Sequence, residues 1–181
     1  MKLALYGGSF DPPHIGHVHV ALKALESLDI DRLIIVPAFR NPFKSSIVAE
    51  GMQRIQWLKR IFAPYSNIEI SDFEINLNRS VRTIETVLHY APACEKLYLI
   101  IGADNLETLN QWYEYEKLCR LVTFVVAQRD EIPVPPEMLR LDVNETMSST
   151  HFRQQFTPLG LDSEIENDII TYYKEHNESK N

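Results

Sequence analysis

The feature that most restricts the fold is a junction near the start of the chain. Leu3-Ala4-Leu5-Tyr6 is an apolar run that breaks at Gly7-Gly8 and again at Pro12-Pro13, after which helix formers continue through Val20, Ala21, Leu22, Ala24 and Leu25. That order predicts a strand, a tight loop and a helix ending near Leu28. Glycines allow close approach of backbone to a ligand, and first-turn amides lack intrahelical partners and sit at the positive end of the helix dipole. Such a place suits phosphate. His14 and His17 are three residues apart, so both imidazoles can face one side, and Gly16 between them leaves room for a ligand. A lone histidine at a helix start is usually a surface group; two, beside an anion-binding loop, suit phosphoryl or nucleotidyl chemistry. The string is neither the Gly-x-Gly-x-x-Gly dinucleotide fingerprint nor a P-loop ending in Gly-Lys-Ser/Thr, which disfavours hydride transfer.

Downstream, strand and helix patterns alternate. Leu33-Ile34-Ile35-Val36 is a continuous branched apolar run of the kind buried on both faces of a parallel sheet, closed by Pro37. The following loop, Ala38 to Lys44, lies at that strand's carboxyl edge, where ligands of open α/β sheets bind; Arg40 and Lys44 add positive charge there. A second helix is expected over about 50–62, with Met52, Ile55, Trp57, Leu58, Ile61 and Phe62 at helical spacing and Trp57 as core. Asn67 to Ser71 alternates like a strand, and a third helix, capped near Ser80, carries apolar positions 81, 84, 87 and 88.

Lys96 to Ile101 predicts another buried strand, closing on Gly102-Ala103-Asp104, where a carboxylate can accept from ribose hydroxyls; Trp112 lies close enough in sequence to stack on a flat ring. A fifth strand is expected from Leu121 to Ala127, a proline-rich loop around Pro133, Pro135 and Pro136, and a short edge strand over Met138 to Val143. Ser148, Ser149 and Thr150 then open a helix with a hydroxyl cap and Arg153 a turn further on, a second candidate anion site, and a last helix runs from about Ser163 to His176. The alternation predicts an α/β protein: one doubly wound, mainly parallel sheet with helices on both faces, in a single domain over 1–181 whose C-terminal helical part covers about 147–177.

With 181 residues the chain suits one domain with a proper core. A formal net charge of −7 argues against a general nucleic-acid binder, though it leaves a small anionic substrate open. No apolar run reaches the length of a membrane span and no basic-then-apolar leader is seen, so no membrane association and a cytoplasmic location are expected. Cys94 and Cys119 lack metal or redox spacing and read as packing residues. The oligomeric state is open, a homo-oligomer included.

Gly-Gly-Ser-Phe-Asp-Pro-x-His-x-Gly-His resembles the nucleotidylyltransferase signature. Three further blocks, Pro37 to Lys44, Ile100 to Asp104 running on to Trp112-Tyr113-Glu114, and Met147-Ser148-Ser149-Thr150-x-x-Arg153, look like the bacterial nicotinate-nucleotide adenylyltransferases, over nearly the full length. The resemblance implies a Rossmann-like nucleotidylyltransferase fold. It implies AMP transfer from ATP to nicotinate mononucleotide, giving the deamido dinucleotide and pyrophosphate in NAD biosynthesis, with Mg²⁺ held mainly by phosphates and no protein metal site. It assigns catalysis to His14, His17, Lys44 and Arg153, and ATP binding to Gly8, Ser9, Phe10, His14, His17, Ser148, Ser149 and Arg153. Arg82, Thr83, Gly102, Asp104 and Trp112 fall to the nicotinate nucleotide, Trp112 stacking on the pyridine ring.

Two departures stand out. Related chains often carry Pro-Pro-His-Lys where this one has Asn41-Pro42-Phe43-Lys44, and often a tyrosine where it has Arg82. An arginine there can pair with the nicotinate carboxylate or face solvent. The competing readings are adenylyltransferases for nicotinamide mononucleotide or phosphopantetheine and, outside enzymes, a nucleotide-sensing module.

Overall fold

The computed structural model describes residues 1–39, 48–128, 132–143 and 148–178. Its frame is a six-stranded sheet in the order β3-β2-β1-β4-β5-β6, built from β1 (Lys2–Gly8), β2 (Arg32–Pro37), β3 (Ile68–Ile70), β4 (Lys96–Gly102), β5 (Thr123–Gln128) and β6 (Leu139–Asp142). Every neighbouring pair is parallel, so the expected "mainly parallel" sheet is wholly so. The four central strands are nearly continuous apolar runs because helices cover both faces: Leu33, Ile35, Ala4 and Ile100 belong to one buried cluster, Leu3, Leu5, Ile34 and Leu99 to the other.

The first cluster is covered by α1 (Ile15–Ser27), which turns Val18, Val20, Ala21 and Ala24 inward. The opposite face is covered by α4 (Thr83–Tyr90) and α5 (Tyr115–Leu121) through Ile84, Val87 and Leu118. A third cluster joins α2 (Gly51–Phe62) to α6 (Ser149–Gln155) and α7 (Ser163–Glu178) through Trp57, Phe152, Ile169 and Tyr173. Trp57 is fully buried, its indole N–H donated to Asp168 at 3.0 Å. Among the described residues no helix is long and apolar enough to cross a membrane.

Several expectations are corrected. The third helix does not begin on a Ser80 cap. It starts at Thr83, where the Glu85 carboxylate reaches back to accept from the Arg82 amide at 2.9 Å, and a separate short helix, α3 (Phe73–Asn76), precedes it. Leu88 points outward at 42% exposure, and on α2 Met52 is exposed while Arg54 takes a buried place beside Ile55 and Leu58. Leu121 ends α5 instead of opening the fifth strand, which begins at Thr123 because Val122 leaves helical geometry. Cys119 is exposed, so of the two thiols only Cys94 has a packing role.

Candidate active site

From β1 the chain crosses to β2 and then β3 on one side, and from β4 to β5 and then β6 on the other. The carboxyl ends of β1 and β4 therefore flank the switch point of the sheet, where an open α/β fold leaves a crevice. The 9–14 loop and Gly102 both sit there.

The loop after β1 is held from beneath. Phe10 adopts a left-handed φ of 48°, which tucks its ring into the core edge-on to Tyr6 and 4.8 Å from His17. Gly8 is required by that ring, since a Cβ would lie 2.9 Å from it. Phe10 thus serves the site through backbone, its side chain being core.

His14 is the N-cap of α1. Its Nδ1 accepts the Gly16 amide at 3.1 Å, and the Nδ1 of His17 accepts the His14 amide at 3.1 Å. A neutral imidazole that accepts at Nδ1 carries its proton at Nε2. Both rings are thereby fixed in the tautomer that donates from Nε2, with centroids 3.8 Å apart. One expectation fails here. The first-turn amides of α1 are engaged by protein: Ile15 donates to the Leu159 carbonyl at 2.9 Å, Gly16 to His14, and His17 to the His14 carbonyl at 2.9 Å. The helix end is accordingly a capped support, and an anion at this junction would have to be met by the imidazoles and the preceding loop.

The second candidate anion site is brought directly onto that loop. Ser149 donates its hydroxyl to the Pro12 carbonyl at 2.8 Å, and Arg153 donates to the Asp11 carbonyl, with its guanidinium 3.8 Å from the Asp11 carboxylate. Ser148 caps α6 by accepting the His151 amide at 3.1 Å.

Three residues outside the candidate site set, among them Tyr173, a packing residue of the last helix, hold this assembly together. Asp11, 2% exposed, accepts the amides of Val48 and Ala49 at 2.9 Å each and the hydroxyl of Tyr173. Burial, and then the neighbouring Asp11 carboxylate, raise the Tyr173 phenol far above its ordinary range, so it stays a donor. Arg54, 1% exposed, donates to the carbonyls of Ser9, Ala38 and Ala49 at 2.7, 2.8 and 3.1 Å. Burial lowers its pKa and Asp11 opposes that. The available sequence signal was Arg54 itself, a cation in register with Trp57, Leu58 and Ile61 on an apolar stripe.

Across the crevice, Gly102 ends β4 and Asp104 folds back over it: a Cβ on Gly102 would lie 2.4 Å from the Asp104 Oδ1. Asn105 donates to both the Gly102 carbonyl and Asp104 at 3.1 and 3.2 Å. Trp112 is half-buried, and its indole Nε1 is buried with no hydrogen-bond partner among the described residues. Thr83 opens α4, and Arg82 lays its guanidinium 3.9 Å over the Tyr113 ring. Arg40 and Lys44 lie outside the described residues.

A curated relative from Sulfurimonas denitrificans, named "Probable nicotinate-nucleotide adenylyltransferase", is 46% identical over 173 residues, covering 96% of this chain and 95% of its own. The chain belongs to the nicotinate-nucleotide adenylyltransferase family. A Nitratiruptor relative of the same name is 46% identical over 96% of this chain and 99% of its own. The cytidylyltransferase-like family model matches residues 5–155, which contain the first imidazole pair and Arg153. Among solved structures, the Plasmodium falciparum nicotinic acid mononucleotide adenylyltransferase complexed with NaAD superposes with a TM-score of 0.74 over 97% of this chain and 96% of that one, at 20% identity; at that identity it bears on the fold.

Proposed function

We propose that this family member is a nucleotidyltransferase that joins nicotinate mononucleotide to the AMP moiety of ATP, releasing pyrophosphate, as a step in making NAD. The observation that carries the proposal is the pair of imidazoles at the sheet's switch point, each locked by a backbone amide at Nδ1 so that Nε2 donates. A phosphate oxygen of the mononucleotide attacks the α-phosphorus of ATP; a new P–O bond forms as the bond from the α-phosphorus to its leaving oxygen breaks. The nucleophile belongs to the substrate, so the protein's task is alignment and charge stabilisation.

His14 and His17 donate from Nε2 to phosphate oxygens on which charge builds, with the Ser9 and Phe10 amides beside them above Gly8. Arg153, already on the Asp11 carbonyl, has further N–H groups to share with the triphosphate, while Ser149, its hydroxyl proton on the Pro12 carbonyl, and Ser148, capping α6, hold the loop and helix beside it. Lys44 is assigned to the same phosphates by family resemblance alone. On the other side, Trp112 stacks on the pyridine ring, Thr83 presents a first-turn amide of α4, and Asp104, set against Gly102, accepts from ribose hydroxyls.

Among the described residues no group of three or more His, Cys, Asp or Glu side chains could hold a metal ion. The metal expected for this reaction is Mg²⁺. The ion belongs with the ATP phosphates, where it supplies charge neutralisation.

The test is pyrophosphate release with ATP and Mg²⁺, supplied in parallel with nicotinate mononucleotide, nicotinamide mononucleotide or phosphopantetheine. Preference for nicotinate mononucleotide is expected. Turnover only with phosphopantetheine refutes the substrate assignment, and ATP binding without turnover on any of the three makes the chain a sensor.

A further inference from the structure

The pyridine side of the crevice carries a cation in an unusual setting. Arg82 is the residue before α4, and its extended backbone (φ −83°, ψ 143°) directs the side chain off the helix, so that the guanidinium rests 3.9 Å over the Tyr113 ring. Its neighbour Arg79 is neutralised by Glu85 through contacts of 3.2 and 2.6 Å. Arg82 donates its amide to Glu85, whose carboxylate also feels the Arg82 charge, and among the described residues no carboxylate lies within ion-pairing distance of the guanidinium. A guanidinium stacked on an aromatic face is held by the ring quadrupole while its charge and its in-plane N–H fork stay available to a planar anion.

The platform adjoins Trp112 in the chain. Tyr113 follows Trp112, which packs against the cluster that contains Ile84 of α4 and whose indole N–H is buried with no partner among the described residues. The Arg82 and Tyr113 stack therefore joins the start of α4 to the turn before α5, with the guanidinium as a cationic rim on the exposed Tyr113 ring. A neutral carboxamide would gain little from that rim; a ring carboxylate would gain a charge-assisted bidentate contact.

We infer that Arg82, perched on Tyr113, is the specificity-determining residue that makes the site select a pyridine carboxylate over a carboxamide. This rests on the reading that a pyridine mononucleotide is the substrate.

The experiment measures kcat and KM with nicotinate mononucleotide and with nicotinamide mononucleotide for wild type, Arg82→Gln, Arg82→Lys and Tyr113→Ala, with Tm recorded for each. Arg82→Gln is expected to lower kcat/KM for the nicotinate substrate by about 10- to 50-fold, chiefly through KM, as loss of a charge-assisted contact implies. The nicotinamide substrate and the KM for ATP should move by no more than about twofold. Arg82→Lys, lacking the fork, should fall between, and Tyr113→Ala should weaken selection by a few-fold by removing the perch. In wild type the KM for the nicotinate substrate should rise with salt, and that dependence should flatten in Arg82→Gln.

An Arg82→Gln variant that keeps the wild-type preference overturns the inference and leaves the proposed function standing. Equal losses on both mononucleotides, or a fall in Tm that accounts for them, also overturn it, by making Arg82 structural. Wild-type protein that turns over neither mononucleotide overturns the proposed function and this inference with it.

Discussion

Glu74 offers a test of the physical account that is independent of catalysis. It lies on α3, accepts the Thr86 hydroxyl at 2.6 Å, and is pushed up to about 7 from an ordinary 4.5, mainly by burial, with Thr86 opposing, Glu85 adding to the rise and Arg54 opposing it. The sign follows from proton binding. Between about 4.5 and 7 the folded protein holds a proton that the unfolded chain has released, so stability falls as pH rises through that window and is level above it. At about 1.4 kcal/mol per pH unit, the loss between pH 5 and pH 8 is roughly 2–3 kcal/mol. Glu74→Gln keeps an acceptor for Thr86 and cannot ionise. It should match wild type near pH 5 and exceed it at pH 8 by that amount. Urea unfolding at the two pH values reads this as a midpoint about 1 M higher for the variant at pH 8, using a slope of ~2 kcal/mol/M for a chain of this size. Parallel pH profiles for the two proteins would refute the assignment, because a solvated carboxylate would contribute no such slope.

Tyr173→Phe should lose the bond to the Asp11 carboxylate and cost about 1–2 kcal/mol in chemical denaturation, with a few-fold rise in the KM for ATP, since Asp11 also holds Arg153; unchanged stability would remove Tyr173 from the network. His17→Ala should reduce kcat by about 10²–10³-fold in steady-state assays while ATP affinity, measured by calorimetry, changes far less; equal losses in both would make His17 a ground-state binder. Gly102→Ala forces the Asp104 carboxylate away from a Cβ 2.4 Å distant, yet at a φ of −72° adds no backbone strain, so Tm should hold while the KM for the mononucleotide rises; a collapse of Tm would contradict this.

The sheet was legible because its strands are apolar on both faces: Leu33 to Val36 and Leu97 to Ile101 could only be buried in a covered parallel sheet. The strand, loop and helix junction was legible because glycines, prolines and paired histidines act through local backbone geometry. Boundaries and buried faces were read less well wherever several local patterns competed or packing decided between them. Ser80 looked like a cap, and Glu85 supplied one from within the helix. Met52 and Leu88 fitted an apolar stripe and proved exposed, because the angular width of a buried face depends on what packs against it.

What the sequence by itself determined is the local chemistry: the strand, loop and helix around Gly8 and His14, the α/β class, and the residue types able to grip phosphate. Only the tertiary structure decided how they are held. The Leu159 carbonyl, 144 positions from Ile15 in the chain, caps the first amide of α1. Tyr173 and Arg54 reach Asp11 and Ser9 from helices far along the sequence. Such contacts carry no local period, since a buried polar group is satisfied by whichever element the fold brings within hydrogen-bond distance.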